Sequence, residues 1–91
     1  AGETRLAGAR RAALRPGETS FAIPLSLRVE ATANVREGPG TSFRVLFTLD
    51  RGSPVVGHSY MNEWVRISDP QGRTGWVFYT LVGPGEQSGS N

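Results

Sequence analysis

At 91 residues the chain has room for one small domain, and a domain of that size buries only about 60 to 65% of the surface its unfolded form exposes, which speaks against a deep catalytic cleft. With no cysteine, neither a disulfide framework nor a thiolate metal site can supplement the core. The net charge of +2 divides unevenly: residues 1–27 carry four arginines against two glutamates, and residues 28–91 carry six arginines against six acids. The electrostatic footprint of a nucleic-acid binder is therefore missing from the larger part.

No apolar run approaches the roughly 18 residues that a membrane span needs, and the first residues lack the apolar core of a signal peptide. The chain opens on Ala1 and reads as a piece of something longer, a monomer attached to another domain. Residues 4–15 have the spacing of a short helix, with Leu6, Ala9, Ala13 and Leu14 roughly on one side and Pro16-Gly17 at its end. Gly8 and the sparse apolar face fit a flexible linker equally, so residues 1–20 are read as linker or short helix.

A stronger signal follows. Phe21, Ile23, Leu25, Leu27, Val29, Ala31, Ala33 and Val35 put an apolar residue at every odd position, which is strand periodicity. The run is long enough for two strands or one strongly bent strand. Pro24 removes a ladder donor, so residues 21–27 are expected to pack on the domain as an extra edge strand.

Gly38-Pro39-Gly40-Thr41 breaks the chain, Arg44 to Leu49 resumes it, Asp50-Arg51-Gly52 turns it, and Pro54 to Tyr60 runs onward. Glu63-Trp64-Val65-Arg66-Ile67 and Arg73-Thr74-Gly75-Trp76-Val77 flank the turn Asp69-Pro70-Gln71-Gly72 and form a hairpin. Val65, Ile67 and Val77 take the inward parity, whereas Trp64, Trp76 and Phe78 take the other. Residues 83–91 read as a flexible tail. Short strands at spacings near ten residues give an all-β fold, a small barrel or sandwich of five to six strands.

Catalytic chemistry finds little to stand on. His58 is the sole histidine, no serine occupies a Gly-x-Ser-x-Gly elbow, and the acids Asp50, Glu63 and Asp69 lie beside turns. No metal-ligand spacing and no cofactor motif is present, so the expectation is a non-enzymatic module without cofactor or metal.

Ala33-Asn34-Val35-Arg36-Glu37-Gly38-Pro39, Arg44-Val45-Leu46-Phe47-Thr48-Leu49 with Gly52, Trp64-Val65-Arg66-Ile67, and Gly72-Arg73-Thr74-Gly75-Trp76-Val77 closely resemble the bacterial SH3 domain over residues 28–82. The family's usual leucine before Asn-Val-Arg is here Ala33. The resemblance implies an SH3-like barrel from a periplasmic or extracellular cell-envelope protein, one that binds peptidoglycan peptide or glycan. Eukaryotic relatives bind proline-rich peptides through a tryptophan at the position of Trp64 and a proline and tyrosine that fall on Phe78 and Leu81. Only the tryptophan is kept, which speaks against a polyproline groove.

A cell-wall ligand offers carboxylates, amide planes and the apolar faces of sugars, so its site needs arginine forks and flat aromatics. The candidates are Tyr60, Trp64, Trp76 and Tyr79 for stacking, Arg36 and Arg73 for carboxylates, and Asn62 for an amide hydrogen bond. Each aromatic has an alternative role in a thin core, and Arg36 could pack its stem over a ring. A second class of function is protein interaction or scaffolding, with residues 21–27 pairing with a partner strand.

Overall fold

The fifteen-residue alternation resolves into two strands, and the described residues as a whole into seven. A computed structural model describes residues 14–85. In it β1 (Thr19–Val29), β2 (Ala33–Arg36), β3 (Val45–Leu49), β4 (Pro54–Met61), β5 (Trp64–Ser68), β6 (Thr74–Phe78) and β7 (Val82–Pro84) form one antiparallel sheet, with a single turn of 3-10 helix at Tyr79–Leu81. The all-β expectation holds: β2–β7 supply the five to six strands expected of the barrel, and β1 takes in the extra N-terminal strand. The helix-or-linker reading of residues 4–15 falls largely outside the described residues.

Strand order in the sheet is β3-β2-β6-β5-β4-β1-β7. Val29 of β1, Val35 of β2, Leu49 of β3, Val55 of β4, Val65 and Ile67 of β5, and Val77 of β6 nevertheless belong to one buried cluster. Adjacent strands are about 4.8 Å apart, so β1 and β3 would lie more than 20 Å apart in a flat sheet. Sharing one core requires the sheet to curl upon itself, which is the SH3-like barrel. Gly75 permits the closure: a Cβ there would collide with Val35 Cγ1 and lie 3.0 Å from the Arg36 carbonyl oxygen. At this crossing Arg36 pairs with Trp76.

β1 carries the register irregularity that explains its surface. Ser20 faces Ser59, but the next paired residue, Leu25, faces Gly57. Residues 21–24 bulge out of the ladder, so Pro24 forfeits no ladder bond, and Ile23 is left 72% exposed despite its parity. Past the bulge, Leu27–Val29 lies between two neighbours, pairing with β4 through Leu27↔Val55 and with β7 through Leu27↔Pro84 and Val29↔Val82.

The tail reading of residues 83–91 needs correction at its start. Gly83 and Pro84 belong to β7, and the Gly85 N–H donates to the Ser26 carbonyl at 3.0 Å. A Cβ at Gly85 would lie 2.8 Å from the Ser26 backbone, so this glycine serves close backbone approach rather than freedom. Residues 86–91 lie outside the described part.

Candidate binding surface

The β4–β5 turn is two residues long, since Met61 pairs with Trp64. Asn62 takes φ 55 there, a left-handed conformation that asparagine tolerates better than most residues. The β5–β6 ladder sets Trp64 opposite Phe78 of β6, with ring centroids 5.4 Å apart at 72°. Tyr79 follows at 5.2 Å from Phe78. The result is an aromatic ridge of Trp64, Phe78 and Tyr79, with a hollow at either end.

The first hollow is an open groove of about 350 Å³. Trp64, Phe78 and Leu81 give it apolar walls, while Thr32, Asn34, Thr41 and Arg36 edge it. Arg36 Nη1 donates to the carbonyls of Thr41 at 3.0 Å and Phe43 at 2.9 Å. Those bonds fix the guanidinium, and its remaining donors make no hydrogen bond among the described residues. The second hollow is smaller, about 250 Å³, and draws on Phe21 of β1, Tyr60, Asn62, Glu63, Val65 and Tyr79.

The seven candidates from the sequence therefore do not form one site. Trp64 and Arg36 share the groove; Tyr60, Asn62 and Tyr79 share the second hollow. Arg73 and Trp76 line neither. Arg73 Nε and Nη2 both reach Asp69 Oδ2 at 2.7 Å, and the guanidinium lies 4.1 Å from the Phe47 ring centroid. Its fork closes the β5–β6 turn, away from both hollows. Trp76 is only 2% exposed, so its ring has no face for a ligand to stack upon, and its assignment to the site is corrected.

The reason lies on the outer face of the sheet. Trp76 has the outward parity expected of it and stands apart from the apolar cluster, but the Arg66 guanidinium covers its ring at 4.9 Å. Arg66 is held by Glu18, which donates nothing and accepts from Arg66 Nε at 2.9 Å and Nη2 at 3.1 Å. Ser59 Oγ also donates to Glu18, as does the Arg15 backbone N–H at 2.7 Å. Burial by itself raises the Glu18 carboxyl, and the bonds from Ser59, Arg15 and Arg66 outweigh it, so the group sits below the ordinary carboxylate range. Asp69 follows the same logic. Burial raises it, and bonds from the Arg73 backbone and side chain and from the Gln71 N–H lower it by more.

With this geometry in place the comparison with known families is decisive. The family model of the bacterial SH3 domain matches residues 31–82. The chain belongs to that family. Bacterial SH3 domains are of binding type, so the chain is a binding module of the SH3 class. Comparison with curated proteins and with solved structures gave no significant match. Among the described residues, no helix is long and apolar enough to cross a membrane.

Glu18 and Phe21 precede the segment that matches the bacterial SH3 model, and the sequence does not single out either as part of a site. Glu18 looks like any acid after a Pro-Gly turn. Phe78 and Leu81 were legible only as the places where eukaryotic relatives carry proline and tyrosine, and the structure does bring both to the groove beside Trp64.

Proposed function

We propose that this bacterial SH3 domain is the ligand-binding module of a larger cell-envelope protein, and that its ligand is a peptidoglycan fragment bearing a free carboxylate. The observation that carries this is the composition of the groove: aromatic and aliphatic walls from Trp64, Phe78 and Leu81, one cation in Arg36, and no acid among the described residues that line it. Apolar faces of sugar or peptide would lie along the ridge, and the carboxylate would meet the outer donors of Arg36. A charge-assisted bond of that kind is roughly twice as strong as a neutral one. A proline-rich ligand with basic flanks would meet a like charge instead.

A second reading rests on β3, which among the described residues pairs only with β2 and leaves Val45 and Leu46 exposed. Such an edge supports addition of a partner strand. The two readings separate in an amide spectrum titrated with soluble peptidoglycan fragments and, separately, with a proline-rich peptide. Saturable shifts at Trp64, Phe78 and Arg36 with wall fragments alone support the wall ligand. Shifts with the proline-rich peptide, or none with either, reject it; the strand reading then requires shifts along Val45–Leu49 on adding a partner.

A further inference from the structure

The second hollow differs from the groove in the sign of its charge and in where its walls come from. Among the described residues Glu63 is the one charged residue on its lining, and it makes no ion pair there. Three aromatic residues share that lining. Phe21 and Tyr60 lie with centroids 5.3 Å apart and planes tilted by 31°, Tyr79 stands at the other side with half its surface exposed, and Val65 supplies an aliphatic floor.

We infer that this hollow is a receptor for an alkylated ammonium group. The faces of aromatic rings carry negative potential, and several rings around one cation attract it even where it makes no hydrogen bond. Charge complementarity comes from Glu63, with no cation among the described residues of the wall to oppose it. A primary ammonium brings three N–H donors that each need an acceptor, and apart from the Glu63 carboxylate, the Asn62 amide and the tyrosine hydroxyls this lining is rings and aliphatic surface. An ammonium clothed in methyl groups has no such requirement and loses little hydration on entry. The volume of about 250 Å³ lies below that of a drug-sized site and suits a head group rather than a whole ligand.

The site is composite. Phe21 lies ahead of the segment that matches the bacterial SH3 model, residues 31–82, and it reaches the hollow because β1 is bonded to β4 through Thr19↔Tyr60 and Ser20↔Ser59. Ammonium recognition is therefore a property that the N-terminal strand adds to the barrel. It uses no residue of the Trp64–Arg36 groove, so it stands or falls separately from the wall ligand.

The test is an amide spectrum of the whole chain titrated with choline chloride, with sodium chloride as the ionic control and 3,3-dimethyl-1-butanol as the neutral isostere. The expected result is saturable shifts at Phe21, Tyr60 and Tyr79 with choline, and binding of the isostere weaker by about tenfold, the ratio that a cation–π contribution of about 1.4 kcal/mol gives. Tyr79→Ala should weaken choline by a similar factor while the spectrum stays dispersed, and Glu63→Gln should weaken choline and leave the isostere unchanged. Equal binding of choline and isostere overturns the inference, as does the absence of saturable shifts or their location around Trp64.

Discussion

Glu18 and Arg66 meet edge to edge, carboxylate to guanidinium, across 48 positions of sequence. The Glu18 side chain is 0% exposed, and Arg66 in turn lies over the ring of Trp76. One ion pair thus ties the segment before the barrel to a buried tryptophan within it. It also converts an outward-facing aromatic into a covered one.

Glu18→Gln removes the charge and disrupts the two-pronged contact. The expected loss is about 2 kcal/mol of unfolding free energy, typical of hydrogen bonds to charged groups, read from urea midpoints. In a Trp64→Phe background the emission of Trp76 should move to longer wavelength as Arg66 loses its anchor. An unchanged midpoint and unchanged emission would show that the covering of Trp76 does not depend on Glu18.

Acid should act through the same pair and through the β5–β6 turn. Glu18 and Asp69 both have folded-state values below their unfolded ones, so their contribution is complete above the unfolded values, about 4.3 and 3.9. It is lost as pH falls through the lower folded values. Stability measured against pH should drop below about pH 4, and Glu18→Gln combined with Asp69→Asn should flatten that drop. An equally steep drop in the double variant would place acid sensitivity elsewhere.

The two kinds of aromatic should separate cleanly on truncation. Trp76→Ala empties a buried volume and should cost about 3 to 5 kcal/mol. Tyr79→Ala removes a ring that is half exposed and should change stability by no more than about 0.5 kcal/mol. Thermal melts of the two variants check both, and comparable melting temperatures would contradict the assignment.

Gly75→Ala tests barrel closure. The new methyl group would press on Val35 and the Arg36 carbonyl, and overpacking of this kind costs about 1 to 3 kcal/mol. A neutral substitution, read from a chemical denaturation curve, would mean that β2 and β6 can separate at little cost.

Alternation made the core faces of β5 and β6 legible in the sequence: Val65, Ile67 and Val77 are buried as their parity requires. The same rule failed at Ile23, because period 2 presumes an unbroken ladder and β1 bulges between Ser20 and Leu25. It placed Trp76 on the correct face but could not show that this face is roofed, since the roof comes from Glu18 through Arg66 and no local pattern encodes a pair so far apart. Arg73 is held by Asp69, four residues earlier; that spacing across a turn is visible in the sequence but equally compatible with a free guanidinium. Gly83, Pro84 and Gly85 read as tail because composition cannot tell a glycine that confers freedom from one that permits contact.

The placement of β1 between β4 and β7 has a kinetic meaning. The first strand in chain order finds its hydrogen-bonding partners only in much later ones: Leu27 waits for Val55 and for Pro84. Loop closure over such separations costs entropy before any contact repays it, so pairings of this kind slow folding. During synthesis Phe21 and Leu27 emerge well before β4, and Leu27 lacks its second neighbour until Pro84 has been made. The strand that completes the second hollow is thus also open to chaperones and to mispairing while the chain is being made.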